Sequence, residues 1–254
     1  MSLEQKSEVW LEEYSKKYPW VRNIIKEYGL DLPLYNLDRE TTHSSWLEVN
    51  RANFTEDVHF LKAFDEYVTE RLPANFSSVL DVGTGVWTYS FALATFFRRY
   101  KKGVPIVGID KDPHDIQLAE DSIRNRKIQD VATYLSDIKD WSRCHDIIVC
   151  LSPNLMTSEI LQHIAEFTPT RDFFYSIRSR MPEDGLFVIG LNYITEPIEK
   201  YKDALRPFFT DIQIHKNAYP SDKSMNPIEY LITAKPKQAK EAIAEAKVEQ
   251  KHQS

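Results

Sequence analysis

Short runs of β-branched and aliphatic residues alternate with helically patterned segments from about residue 77 to 236. These runs read as strands at 77–82 (SSVLDV), 105–110 (PIVGID), 132–137 (ATYLSD), 146–151 (DIIVCL), 186–191 (LFVIGL), 211–216 (DIQIHK) and 229–234 (EYLITA). Strands separated by helices need crossover connections, so the pattern predicts parallel pairing with helices on both faces. The last two runs are joined by a Pro- and Asn-bearing loop instead, which predicts an antiparallel hairpin at one end of the sheet. The expected fold is therefore α/β and doubly wound. It has a mostly parallel seven-stranded sheet, a terminal antiparallel hairpin and an N-terminal helical extension.

Before the first strand, Trp10, Tyr14 and Tyr18 recur at spacings of four. Val58, Leu61, Phe64, Val68 and Leu72 form a second helical stripe, which Pro73 is placed to end. Between them the stretch DLPLYNLDRETTHSSW, 31–46, is turn-rich and suits an irregular surface segment. After the last strand, KQAKEAIAEAKVEQKHQS has two large apolar residues and reads as a disordered tail or a solvated helix. The expected division is thus 1–76 as a helical extension or lid, 77–236 as a Rossmann-like domain and 237–254 as a polar tail.

Composition narrows the function classes. A chain of 254 residues, 42% of them hydrophobic, can bury a full core. With 28% charged residues, it has no apolar run approaching the roughly 18 residues needed to cross a bilayer. The N-terminus mixes both charges without an apolar segment, which reads against a signal peptide. Cys144 and Cys150 are too few for a disulfide framework or a four-thiolate zinc site, so a reducing cytoplasm is expected. The net charge of -6 opposes a broad phosphate-binding surface. Small molecules and proteins lead as partners.

Candidate chemistry gathers at the strand ends. The first strand runs into Asp81-Val82-Gly83-Thr84-Gly85-Val86-Trp87-Thr88, and an aromatic-rich amphipathic helix follows. Glycines there permit a tight turn and close approach of a ligand, although an ordinary structural turn would read the same way. The second strand ends in Asp110, a carboxylate able to accept both hydroxyls of a ribose. The third ends in Leu135-Ser136-Asp137-Ile138 and the fourth in Leu151-Ser152-Pro153-Asn154. Open parallel sheets bind ligands at this edge.

With LDVGTG at 80–85, VGIDKDP at 107–113, LSDI at 135–138, HDIIVCLSPNL at 145–155 and MPEDGLFVI at 181–189, the chain resembles the class I S-adenosylmethionine-dependent methyltransferases over about 77–236. The resemblance implies S-adenosylmethionine as cofactor. It would set Asp81, Gly83 and Gly85 at the methionine end, Asp110 on the ribose, and Asp137 with Ile138 at the adenine. An acidic first loop suits a sulfonium, whereas a pyrophosphate prefers bare N–H groups at a helix start. The alternatives are an unrelated nucleotide-binding Rossmann protein, or a catalytically silent cofactor-binding or partner-regulating subunit.

Methyl transfer releases a thioether that needs no proton, so positioning can supply most of the acceleration and no triad is required. Ser152-Pro153-Asn154-Leu155 partly resembles the signature of methyltransferases acting on planar nitrogens, without its second Pro and its aromatic residue. Asn154 is the candidate catalytic residue, as an acceptor for a substrate N–H, against a simple turn role. Asn192 and Tyr193, after the fifth strand, and Trp46, in the segment that relatives use as a lid with Tyr35 and His43, are candidate substrate contacts. Trp87 replaces a small residue common in the family, and either narrows the methionine pocket or packs as core. Cys150 is expected in the core and His145 on the surface at the opposite rim. Asp112-Pro113 is expected to start a helix.

Two basic clusters, Arg98, Arg99, Lys101 and Lys102, then Arg124, Arg126 and Lys127, end helices at the far edge. There they complement helix dipoles, which makes nucleic acid an unfavoured partner. A small-molecule or protein methyl acceptor is expected over RNA.

Overall fold

A computed structural model describes residues 3–30, 35, 44–85, 90–125, 128–151, 168–191, 198–221 and 228–238. Among these residues the helices are α1 (Leu3–Lys17), α2 (Val21–Tyr28), α3 (Ser44–Tyr67), α4 (Ser90–Tyr100), α5 (Pro113–Asn125), α6 (Thr168–Ser179) and α7 (Ile198–Leu205). The strands are β1 (Val79–Val82), β2 (Ile106–Asp110), β3 (Val131–Leu135), β4 (Ile147–Leu151), β5 (Leu186–Leu191), β6 (Phe209–Lys216) and β7 (Tyr230–Pro236).

All seven predicted strands form, in the order β3-β2-β1-β4-β5-β7-β6. β7 runs antiparallel to both β5 and β6, and the other neighbouring pairs are parallel. The order reverses direction at β1 and β4, which places a topological switch point beside the Asp81 turn.

Alternation along the strands divides the core between two faces. Val79, Ile106, Ile147, Val149, Leu186 and Val188 pack with α1–α4. Leu80, Val107, Ile148, Cys150, Phe187 and Ile189 pack with Phe173, Phe174 and Ile177 of α6 and Tyr201 and Leu205 of α7. Cys150 is therefore core, as its place within the strand implies. Asp112 starts α5 as expected: its Oδ1 accepts the His114 N–H at 2.8 Å and its carbonyl accepts the Ile116 N–H. Pro113 occupies the first helical position, where no amide hydrogen is needed.

Several local expectations are corrected. Of the aromatic stripe beginning at Trp10, Trp10 and Tyr14 lie on α1 and Tyr18 falls just past its end. α1 ends at Lys17, and α2 follows and stops at Gly29, whose φ of +59° allows its N–H to close on the Ile25 and Lys26 carbonyls. Of the second stripe, Val58, Leu61 and Phe64 lie on α3, which ends at Tyr67 before Pro73, and Val68 and Leu72 flank a 3₁₀ turn over Thr69–Arg71. The stretch 31–46 is not wholly an irregular surface segment: Ser44–Trp46 are helical and Tyr35 is buried. His145 is not on the surface but 5% exposed. The Trp141 indole covers it and donates to its Nε2 at 3.1 Å. Lys237, at the start of the polar tail, still bonds to the core through its N–H to the Phe208 carbonyl. Residues 239–254 lie outside the described residues.

Candidate active site

Strand alternation turns Leu80 and Val82 toward α6 and α7 and leaves Asp81 on the opposite side, where it is 2% exposed. Asp81 lies level with Gly108 on β2 and Val149 on β4. The Thr84 hydroxyl folds back and donates to Asp81 Oδ2 at 2.9 Å. It can do so because position 108 is glycine: a Cβ there would come within 2.8 Å of Thr84 Oγ1. The absent side chain on β2 thus makes room for the turn that leaves β1.

That turn is left-handed at Gly83 (φ +72°) and Gly85 (φ +51°), which favours residues without a Cβ. The Gly83 and Thr84 N–H groups both donate to the Ile109 carbonyl, at 2.9 and 3.1 Å. The Gly85 N–H donates to Asp110 Oδ2 at 3.0 Å, and the Asp112 N–H to Oδ1 at 3.0 Å. The Asp110 carbonyl accepts the Ser136 N–H at 2.8 Å. Asp137 Oδ1 then accepts the Lys139 N–H at 2.9 Å, and Ile138 is buried beside it. One chain of hydrogen bonds therefore joins the ends of β1, β2 and β3. It brings Asp81, Gly83, Gly85, Asp110, Asp137 and Ile138 to one edge.

The field at this edge is negative. Burial raises the Asp115 carboxyl above its ordinary range, and the carboxylates of Asp112 and Asp110 raise it further. Burial, then the Asp81 and Asp110 carboxylates, push the Cys150 thiol far up, so it stays protonated and is no nucleophile. Leu135, level with Asp110 on β3, is 59% exposed. No motif in the sequence marks Leu135 as a site residue. Its signal was an apolar residue at the open end of a strand, immediately before Ser136-Asp137.

Asn154, Asn192, Tyr193, Trp87 and His43 lie outside the described residues. Trp46 occupies the first turn of α3 rather than a loop, and its side chain is also outside them. Tyr35 packs edge-on against Phe54 and against Phe91 in the first turn of α4, and its hydroxyl donates to Asp57 Oδ2 at 2.7 Å. It is an anchor in the core. The basic clusters are engaged away from this edge: Arg98 with the Gln129 carbonyl, Arg99 with Glu27 and Asp65, Lys101 with the Phe76 carbonyl, and Arg124 with Asp121. Arg126 and Lys127 lie outside the described residues.

Among the described residues no helix is long and apolar enough to cross a membrane, and no group of three or more His, Cys, Asp or Glu is placed to hold a metal ion.

The profile of a family described as a methyltransferase domain matches residues 75–219, the part of the chain that builds this edge. The chain belongs to that family, and with it to the class I S-adenosylmethionine-dependent methyltransferases. Two solved structures share its fold. One is the glycopeptide N-methyltransferase MtfA complexed with S-adenosylhomocysteine: 12% identity, 70% of this chain and 90% of that one, TM-score 0.51. The other was solved in work on the conversion of a disulfide bond into a thioacetal group during echinomycin biosynthesis: 13% identity, 76% and 87% coverage, TM-score 0.51. An S-adenosylmethionine-dependent methyltransferase from Clostridium acetobutylicum also aligns, at 15% identity over 70% of this chain and 90% of that one, TM-score 0.48. No curated protein sequence matches the chain significantly.

Proposed function

We infer that the protein transfers a methyl group from S-adenosylmethionine to a small molecule or a protein rather than to RNA. The observation that carries this reading is the acidic, glycine-built edge: Asp81 buried under the turn, and the Gly85 N–H already spent on Asp110. A pyrophosphate would need that N–H and would meet two carboxylates. A sulfonium and an ammonium are attracted by the same arrangement. Among the described residues nothing lies within 4 Å of a Cβ built on Gly83.

In this reading the Gly83–Gly85 turn receives the methionine end, with Asp81 beneath it. Each oxygen of Asp110 accepts one backbone N–H and retains a lone pair for a ribose hydroxyl. Ile138 and the exposed Leu135 offer apolar surface for the adenine, and Asp137 borders it. Asn154 accepts a substrate N–H, and Asn192, Tyr193 and Trp46 contact the acceptor. When bound, the cofactor supplies an electrophilic methyl group on a sulfonium. The chain's part is to hold and orient, because the departing thioether takes no proton.

The test offers the full-length protein S-adenosylmethionine labelled in the methyl group, with cell extract separated into small molecules, protein and RNA. Label in the small-molecule or protein fraction is the expected result. Label in RNA alone overturns the acceptor class, and bound cofactor without turnover of any fraction points to a silent subunit.

A further inference from the structure

β3 is an outer strand of the sheet, with β2 as its neighbour on one side and, among the described residues, no strand on the other. β2 fixes which of its backbone groups face outward. The Asp130 carbonyl accepts the Ile106 N–H at 2.9 Å, and the Ser136 N–H donates to the Asp110 carbonyl at 2.8 Å. Alternation therefore turns the N–H and C=O groups of Ala132 and Tyr134 to β2 and directs those of Val131, Thr133 and Leu135 away from the sheet. Of the five large apolar side chains exposed among the described residues, two adjacent ones lie on this strand, Tyr134 at 41% and Leu135 at 59%. An open edge with apolar side chains is a template for another strand, and no charged residue interrupts it from Val131 to Leu135.

The edge is self-complementary. Its outward residues are symmetric about Thr133, so an antiparallel copy related by a two-fold axis sets Thr133 against Thr133 and Val131 against Leu135, each pair exchanging both N–H···O bonds. The same register sets Ala132, small and exposed, beside Tyr134, whose ring rests on Trp141 with the Arg143 guanidinium over both. Asp130 falls opposite Ser136, a hydroxyl rather than a second carboxylate. The Thr133 hydroxyl is buried without a partner in the single chain, and a Thr–Thr pair across a ladder supplies one. α5 lies over β2 and β3. With strands about 4.8 Å apart, the α5 helices of two copies would stand about 10 Å apart, the distance at which helices pack. α5 buries Ile116 and Ala119, and a right-handed crossover turns its Gln117, Glu120 and Arg124 flank toward that partner, with one charge of each sign.

We propose that β3 pairs with β3 of a second copy of this chain, joining two sheets across a two-fold axis into a reversible homodimer. A strand from an unrelated protein needs no such symmetry; the match of outward groups and side-chain pairs about a single residue selects a second copy. The contact is a short ladder and one helix pair, at the low end for specific interfaces, so its dissociation constant is expected on the order of 10–100 μM. Leu135 is level with Asp110 on β2, so Val131 of the second copy covers the flank of Leu135 that faces away from β2. Each copy thereby sets a residue beside the candidate site of the other.

The test uses the full chain in two measurements: sedimentation equilibrium from about 1 to about 500 μM, and residue-resolved amide exchange by NMR at about 20 and about 500 μM. The mass should rise from monomer toward dimer. Over the same range the Val131, Thr133 and Leu135 amides should gain protection several-fold, while those of Ala132 and Tyr134, already turned to β2, change little. Thr133→Pro removes an outward N–H and leaves the β2 ladder intact, and should weaken self-association by about tenfold or more. A monomer at every concentration overturns the proposal. So does a dimer whose outward β3 amides stay unprotected, since its contact lies elsewhere. Protection of those amides without a change in mass also overturns it, because another segment of the same chain then covers the edge. A folded Thr133→Pro that dimerises like the wild type does so too; if the variant does not fold, the wild-type exchange pattern decides.

Discussion

Gly108 shows how a residue without a side chain shapes the site. Gly108→Ala forces Thr84 away, because the added methyl would meet its Oγ1 at 2.8 Å and its Cβ at 3.1 Å, and a threonine has no flexible end to give. The expected cost is about 1–3 kcal/mol in stability, with weaker binding of S-adenosylhomocysteine as the Asp81 turn is displaced. Urea unfolding and calorimetry on the same preparation check it; a variant with wild-type values in both would show that the contact is not limiting. Asp110→Ala acts more directly. It removes an acceptor of two backbone N–H bonds as well as a charge, and should weaken cofactor binding by about 1.5–3 kcal/mol while the fold persists. The placement of Asp81 and Asp110 at the ends of β1 and β2 was legible from the strand pattern. The role of Gly108 was not, since nothing local announces that a threonine 24 positions earlier will fold over it.

At the scale of elements, the segment entering β4 carries an acid-sensitive joint. The Asp146 carboxylate accepts the backbone N–H groups and hydroxyls of both Ser77 and Ser78, at 2.6–3.2 Å, and so fastens the start of β4 to that of β1. Burial works to raise its pKa, but these donors outweigh burial and hold it below the usual carboxylate range. Its contribution is therefore present above the unfolded value and is lost as pH falls through the folded one. Asp146→Ala should cost about 1–2 kcal/mol at neutral pH.

Next to it, burial and the Arg143 guanidinium lower His145 to about 4, outweighing the Asp146 carboxylate. A histidine depressed on folding stabilises the protein above its unfolded pKa near 6.5 and loses that contribution as pH falls toward 4. Between pH 7 and pH 5 the loss from His145 alone should be about 2 kcal/mol. His145→Gln should flatten that decline in urea unfolding; an unchanged slope would place the acid sensitivity elsewhere. The strands themselves were legible because each is a compact apolar run, and β5 falls on 186–191 as read. The burial of His145 was not, because it depends on Trp141 folding across it. Nor was the early start of β6 at Phe209: its register slips between Thr210 and Gln213, where Asp211 is held at φ +48° by Arg71.

Across the whole molecule, α1–α3 share one buried cluster with the sheet. Leu11, Val21, Ile24, Phe54, Val58 and Phe64 pack in the same core as Val79, Ile147 and Val188. The chain should unfold in one transition, and removal of residues 1–43 should leave Phe54 and Phe64 without part of their cover and lower the midpoint by many degrees. Two separate transitions, or a truncated chain with an unchanged midpoint, would show that the helices form an independent unit. The helical periods of this region were visible in the sequence, but its docking on the sheet was not, since a stripe says that a face is buried and not against what.

Charge is distributed with the same polarity: carboxylates gather at the strands' C-terminal edge, and the engaged arginines of α4 and α5 lie at the ends of helices that return to the other. That polarity makes ligand choice the most direct test. Calorimetry on the full chain should give micromolar affinity for S-adenosylmethionine, competition from S-adenosylhomocysteine at the same site, and binding of NAD weaker by at least about tenfold, or 1.4 kcal/mol. Tighter binding of NAD than of S-adenosylmethionine would contradict the account.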